Sequence, residues 1–445
     1  VREARIGLLG CGHVGSALVG LLAERRAAIA ARSRVDLSLS AVAVRSLSKH
    51  RDVSAAVDPG LFTTDAFAVV ESPDVDVVVE LVGGIEPARG LVLRALELRK
   101  PVVTGNKELL ANHGAELFAA AAAAGVDLGF EAAVAGGVPL MRALRESLAG
   151  EQVSRVTGIV NGTTNYVLTR MAEDGAAYAD ALSEAQGLGY AEADPTADVE
   201  GFDAAAKAAI IATVVYGAAV VAGDVYHEGI SGISVADIAM ARRLGYVIKP
   251  VAVIEGSDDD HAAPEVAVRV HPAMVPVDHP LAGVNDSFNA VFVEGDSVGE
   301  LMFYGRGAGG RPTAVAVLGD VIDAAVNSNK GAAAAAGRSE PITVSSTADL
   351  GRATVRPIDD LETAYYLNIE VSDRPGVLAR VAAVFGERGV SIRSMEQRGL
   401  GDEAELMFIT HRSKESAVQA TLEDLRELDV VHEIGAMIRV LDDEA

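Results

Sequence analysis

The stretch ARIGLLGCGHVGSALVGLLAERRAAIA, residues 4–30, decides the fold. An apolar run of strand length ends in Gly10, Gly12 and Gly15 at G-x-G-x-x-G spacing, and a long amphipathic helix begins at once. Glycines at such a turn permit a tight bend and let a pyrophosphate approach the N–H groups of the helix start. The spacing alone is a weak signal, and its position between strand and helix gives it weight. His13 and Val14 lie in the same turn and join the candidate cofactor set.

Outward from this turn, LSLSAVAVR (37–45), VDVVVEL (75–81) and PVVTGN (101–106) read as further apolar strands with helical segments between them. That alternation predicts a parallel, doubly wound, Rossmann-type sheet, whose ligands sit at the carboxyl ends of the strands. Arg45, Gly83, Gly84 and Lys107 fall at such ends. VDLGFEAAVAGGVPL (126–140) reads as one more strand. The predicted organisation is an NAD(P)-binding domain over 1–150 with a return helix at 313–330, then an α/β domain over 151–312. GAAAAAGRSEP opens a linker over 331–363. Residues 364–445 follow the order strand, helix, strand, strand, helix, strand, a separate ferredoxin-like α+β unit.

Composition excludes several classes of function. A net charge of −25 repels nucleic acid and anionic membranes, so neither is an expected partner. The single cysteine, Cys11, rules out an intrachain disulfide or a cysteine-rich metal site and fits a reducing cytoplasm. The N-terminus runs into a strand without a signal pattern. The longest apolar run, the 16 residues AAIIATVVYGAAVVAG after Lys207, falls short of the roughly 20 needed to span a bilayer and reads as a buried core helix. Histidines such as His13, His271 and His279 lack zinc-ligand spacing.

Three further stretches carry chemistry: NGTTNY (161–166), LGYAEADPTADVEGFDAAAKAAI (188–210) and YGRGAGGRPTA (304–314), with TGNK (104–107) upstream. In this order and spacing they resemble the homoserine dehydrogenases, and SDRPGVLARVAAVF (372–385) is similar to an ACT regulatory domain. The resemblance implies reversible NAD(P)H-dependent reduction of L-aspartate 4-semialdehyde to L-homoserine, and it alone implies that the α/β domain over 151–312 is a substrate and dimerisation domain. Hydride addition to an aldehyde creates an alkoxide, which needs a cation or proton donor within hydrogen-bond reach. Lys207 matches the family's catalytic lysine and Lys107 its second active-site lysine, which also faces the nicotinamide ribose. Glu192 and Asp203 match the substrate-binding carboxylates, and Asp203 lies four residues before Lys207 on the same helix face. The remaining acids, Asp194, Asp198 and Glu200, are read as loop solvation or capping. Gly189, Gly307 and Gly309 match positions that approach the cofactor with bare backbone. Asn161, Thr163 and Thr164 are open between capping a helix and touching a ligand.

FEAAVAGGVP resembles the family's monovalent-cation loop, with Glu131, Val134, Gly136 and Val138 at the liganding positions for Na+ or K+. The second strand ends in Arg45 and then Lys49 where an NAD-specific fold usually has an acid, so NADP(H) is expected to be preferred and NAD(H) tolerated. In the C-terminal unit Asp373, Gly376 and Val377 are the candidate effector residues, with threonine the expected effector, and the family implies a homodimer or homotetramer. Three rival readings meet obstacles in the sequence. Thioester-forming semialdehyde dehydrogenation requires a cysteine nucleophile in the substrate domain, where none exists. A 2-hydroxy-acid dehydrogenase would carry its nucleotide fold mid-chain. A non-enzymatic dinucleotide and amino-acid sensor would not need two lysines beside paired carboxylates.

Overall fold

The computed structural model describes residues 1–48, 57–257, 264–334, 350–399 and 401–441; Lys49 and positions 335–349 of the expected linker lie outside them. The first part comprises β1 (Arg2–Leu9), α1 (His13–Ser33), β2 (Val35–Ala43), β3 (Phe62–Thr63), α2 (Ala66–Glu71), β4 (Val77–Glu80), α3 (Ala88–Glu97), β5 (Val102–Thr104), α4 (Lys107–Ala124) and β6 (Leu128–Gly129). The strands form one parallel sheet in the order β3-β2-β1-β4-β5-β6. β4 and β5 are buried on both faces, as parallel strands covered by helices on each side are. The order reverses between β1 and β4, so the turns at Gly10 and at 81–84 flank the crevice where such sheets bind ligands.

The expected strand over 126–140 is cut short. Only Leu128–Gly129 pairs with β5, and a 3-10 turn follows at Glu131–Ala133. The cause is side-chain competition for the backbone. Asp320 accepts from Glu131 N at 2.8 Å, and the Glu131 carboxylate accepts from the N–H groups of Met141 and Arg142 at 3.0 and 2.8 Å. These bonds satisfy groups that a sheet ladder would otherwise hold.

The middle part continues through β7 (Val153–Ile159), α5 (Gly162–Asp174), α6 (Tyr178–Gly187), α7 (Thr196–Val199), α8 (Phe202–Tyr216), β8 (Tyr226–His227), α9 (Val235–Arg243), β9 (Tyr246–Ser257), β10 (Glu265–Pro276), β11 (Phe288–Gly295), β12 (Gly299–Arg306) and α10 (Gly310–Ala334). α8 is the buried core helix expected after Lys207, but it ends at Gly217, whose φ of 63° only glycine adopts cheaply. α10 returns to α1: Ala314, Val317, Leu318 and Val321 share a core with Leu18, Leu21 and Leu22, and Arg311 pairs with Glu24 at 2.9 Å.

The last part holds β13 (Thr354–Val355), β14 (Glu362–Ser372), α11 (Val377–Glu387), β15 (Ile392–Gly399), β16 (Glu403–Thr410), β17 (Ser413–Lys414), α12 (Glu415–Arg426) and β18 (Val431–Val440). The order β18-β14-β16-β15 is that of a ferredoxin-like sheet. The unit is not set apart from the rest, however. β18 pairs in parallel with β10, Ala273 opposite Arg439 and Met274 opposite Val440, so one sheet runs β12-β11-β7-β9-β10-β18-β14-β16-β15. Beneath that joint Tyr366, Ile409 and Ile438 share a core with Tyr166, Met171, Ile230 and Met274.

Candidate active site

Two helix starts and one strand end, those of α4, α8 and β7, meet at one carboxylate. α4 begins at Lys107 because Asn106 caps it, accepting from Leu109 N at 3.0 Å, while its amide donates to Gly84 O at 2.7 Å. Thr104 Oγ1 donates to Glu80 Oε2 at 2.6 Å, and Glu80 Oε1 accepts from the N–H groups of Val82 and Gly83 at 2.7 and 3.2 Å. Fully buried Glu80 thus locks the ends of β4 and β5 together. Sequence reading missed it, although an acid closing the apolar run VVVELVGG is a visible signal.

α8 begins after Gly201, whose φ of 86° turns the chain sharply. Asp203 and Lys207 therefore lie one helical turn apart, both buried. Lys207 Nζ donates to Asp203 Oδ2 at 2.7 Å and to Val160 O, beyond the end of β7, at 2.6 Å. Lys107 Nζ donates to the other oxygen, Oδ1. Asn161 takes the capping role and also touches the cluster. Its Oδ1 caps α5 at Thr164 N, 2.9 Å away, and its amide donates to Asp203 Oδ2 at 2.8 Å and to Asp198 Oδ1 at 2.7 Å. Asp198 therefore touches the cluster, contrary to its reading as loop solvation. Asp194 does stay local, accepting from Thr196 N and Oγ1 at 3.1 and 2.7 Å in the turn before α7.

Electrostatics set the three groups apart. Burial works to raise the Asp203 carboxyl, but the ammonium groups of Lys207 and Lys107 outweigh it and hold it below the usual carboxylate range. Burial pulls Lys207 below its ordinary value, with Lys107 adding to the effect and Asp203 opposing it. Burial also pulls on Lys107, but Asp203 wins and raises it. The lysines thus differ: Lys107 remains 44% exposed at the cleft, and Lys207 is enclosed.

Glu192 is exposed on the loop before α7, and among the described residues no hydrogen bond joins it to this cluster. Gly189 turns that loop with φ 77°, and Thr163 Oγ1 ties it to α5 by donating to Tyr190 O at 2.7 Å.

The glycine turn fits a dinucleotide. A Cβ on Gly10 would stand 2.5 Å from Leu81 O and one on Gly15 2.3 Å from Gly10 O, whereas Gly12 has nothing within 4 Å. The cradle is closed on its protein side and open on its outer side. Gly12 starts α1 without a side-chain cap, which leaves the first N–H groups for an anion. Gly83 and Gly84 adopt φ of 77° and 73° across the crevice, and exposed Arg45 follows β2 at its outer end. His13, with Val14 beside it in the first turn, lies against Gly310, next to Gly309 with φ 117°, and a Cβ on Gly307 would collide with Asn289.

Glu131, Val134, Gly136 and Val138 are buried or close-packed behind this turn. Ala135 and Gly136 are both left-handed at φ 51° and 21°, and a Cβ on Gly136 would stand 2.7 Å from Gly307 O. Val138 O accepts from Leu140 N at 2.8 Å. In the C-terminal unit α11 starts at Gly376, φ 90°, without a side-chain cap, just before Val377; Gln397 Nε2 reaches Asp373 Oδ1 at 3.5 Å. Among the described residues no helix is long and apolar enough to cross a membrane.

Known proteins match over the same regions. The family model for homoserine dehydrogenase covers residues 139–322, that for the homoserine dehydrogenase NAD-binding domain covers 10–131, and that for the ACT domain covers 365–430. A homoserine dehydrogenase of Corynebacterium glutamicum is 50% identical over 98% of this chain and 95% of its own. The crystal structure of a homoserine dehydrogenase from Thiobacillus denitrificans superposes with a TM-score of 0.90 at 39% identity, over 99% of both chains. A hyperthermophilic archaeal homoserine dehydrogenase solved in complex with NADPH matches 73% of this chain and 98% of its own, with a TM-score of 0.61 at 28% identity.

Proposed function

The chain belongs to the homoserine dehydrogenase family, and from that premise we propose how its residues carry the reaction. The activity is the NAD(P)-dependent interconversion of L-aspartate 4-semialdehyde and L-homoserine, an oxidoreductase step of amino-acid biosynthesis, and the rival sensor reading is not favoured. A bound nicotinamide cofactor supplies or accepts the hydride, and the protein handles the proton and the charges.

One observation carries the proposal: both lysines meet on one buried carboxylate. An ammonium has three donors, and two of those on Lys207 are taken by Val160 O and Asp203. The third serves the substrate oxygen, donating as the alkoxide forms. In the oxidation direction a neutral Lys207 accepts the hydroxyl proton, which burial favours. Lys107, at the open side of the cluster, polarises the carbonyl. Asp203 and Glu192 take the substrate ammonium, which competes with Lys107 for Asp203 Oδ1, and Asn161 keeps Oδ2 on the Lys207 side.

The finer assignments rest on local chemistry. Arg45 at the end of β2 supports a preference for NADP(H) over NAD(H). The left-handed pair at 135–136 and its backbone oxygens suit a weakly held monovalent cation such as Na+ or K+, held structurally by Glu131, Val134, Gly136 and Val138. Asp373 and the uncapped start of α11 suit the two charged groups of an amino acid, with threonine as effector. We place the enzyme in the cytoplasm as a homodimer or homotetramer. The test of function is absorbance at the reduced-nicotinamide band with homoserine and NADP: growth of the band supports the proposal, and its absence with properly folded protein overturns it.

A further inference from the structure

We infer that the last strand of the chain is a positioning element for the catalytic cluster, acting through Arg439 and Glu228 on the turn that starts α8. The inference rests on the reading of Lys207 and Asp203 as catalytic groups.

The outer edge of β10 is closed by short pairings with strands from separate parts of the chain. β8 pairs with it at Arg269 and Val270, and β18 pairs with it at Ala273 and Met274. Where they meet, Arg439, 2% exposed, reaches in both directions. Its Nε and Nη2 donate to the two Glu415 oxygens at 3.0 and 2.8 Å, within its own unit. Its Nη1 donates to Glu228 Oε1 at 2.9 Å, in the middle part, where the Tyr226 hydroxyl also donates. The guanidinium lies 5.3 Å from the Tyr226 ring centroid. A buried guanidinium shared by two carboxylates resists displacement, because moving it strands a charge in a dry environment.

From Glu228 the contact runs by backbone to α8. Ile230 N donates to Val199 O at 2.9 Å, and the His227 ring meets Glu200 O at 2.9 Å and the Phe202 ring at 4.3 Å. The approach is close enough that a Cβ on Gly229 would stand 2.5 Å from Val199 O, and one on Gly201 3.1 Å from Glu228 O. Residues 226–230 thus brace 199–202, the turn on which Asp203 and Lys207 depend for their direction.

The test compares Glu228→Gln, which keeps shape but removes the charge, and Tyr226→Phe, which removes one hydroxyl from Glu228. NADPH affinity is read by nicotinamide fluorescence and turnover by absorbance. Misplacement of reacting groups by 1 Å costs up to about 10²-fold, so kcat should fall at least about tenfold in Glu228→Gln and at least about threefold in Tyr226→Phe. NADPH affinity should stay within about twofold, because the glycine cradle belongs to the other sheet. If either folded variant keeps kcat within twofold of wild type, or loses NADPH binding in proportion to turnover, the inference fails. Lys207→Met serves as control: full activity there removes the reading of the cluster, whereas an inactive Lys207→Met beside a fully active Glu228→Gln removes only the brace.

Discussion

Lys107 and Lys207 hold opposite oxygens of one carboxylate: Lys107, at the start of α4, donates to Asp203 Oδ1, and Lys207, on the helix of Asp203 itself, donates to Oδ2 at 2.7 Å. The contact couples the NAD(P)-binding part of the chain to the substrate part through charged groups. It also divides the roles by burial, since the enclosed lysine suits proton exchange and the cleft lysine suits carbonyl polarisation.

Lys207→Ala should lower kcat by about 10²–10⁴, the range for a positioned proton donor, while leaving NADP binding intact. Lys207→Arg should also be poor, because a guanidinium cannot give up its proton to become the base in homoserine oxidation. Steady-state kinetics in both directions decide this; turnover above about a tenth of wild type in Lys207→Ala would remove the residue from the mechanism.

Asp203→Asn has a signed consequence for pH. Asp203 opposes the lowering of Lys207 by burial, so its loss lowers the Lys207 ammonium further. The rising limb of kcat/KM for homoserine oxidation, which reports neutral Lys207, should therefore move to lower pH, with a reduced plateau. Stability follows the opposite group. Asp203 is held below its unfolded value, so its contribution is present above about pH 4, the ordinary carboxylate range, and is lost as pH falls through the folded value. Melting against pH should show this acid limb in wild type and a weaker one in Asp203→Asn.

The parallel sheet was legible in sequence because it depends on local pattern, apolar runs and a glycine turn, whereas the lysines entered through the family resemblance, with only Lys207 marked locally as a lone cation on an alanine-rich helix. What escaped depends on long-range partners. Asp198 looked like one more loop acid until Asn161, 37 residues away in sequence, placed its amide between it and Asp203. Glu80 needed the neighbouring strand to reveal its bond to Thr104. The strand expected over 126–140 failed because Asp320, from α10, takes the backbone of Glu131. The joining of β18 to β10 has no local signature at all.

The glycine turn makes a prediction that separates binding from folding. Gly12→Ala meets open space and should fold normally, yet its methyl group would occupy the approach to the helix start and weaken NADPH binding. Gly15→Ala meets Gly10 O at 2.3 Å and should lower the melting temperature as well. Thermal denaturation with and without NADPH distinguishes them; equal melting temperatures for the two free variants would contradict the packing argument.

Arg45 is exposed just beyond β2, where no carboxylate follows the strand. Arg45→Ala should lower kcat/KM for NADP while leaving that for NAD nearly unchanged, reducing their ratio by roughly tenfold, about the 1.4 kcal/mol expected for one charge-assisted hydrogen bond. An unchanged ratio would show that the preference is set elsewhere.

Threonine inhibition should depend on Asp373 and should not be tested by deleting the C-terminal unit. Removing residues 361–445 takes β18 from β10, exposes the apolar core around Tyr166, Met171 and Ile230, and leaves Glu228 without Arg439. Such a truncated chain should lose solubility or turnover whatever threonine does. Asp373→Asn changes one side chain beside the start of α11, far from Lys207 in the chain, and should keep basal turnover. Its threonine inhibition constant should rise at least about tenfold, the size of a lost charge-assisted contact. Because coupling between sites is reciprocal, NADP(H) or homoserine should weaken threonine binding to wild type by the factor by which threonine weakens theirs. Calorimetry on the intact protein measures both factors, and equal threonine sensitivity in wild type and Asp373→Asn would place the effector somewhere other than this turn.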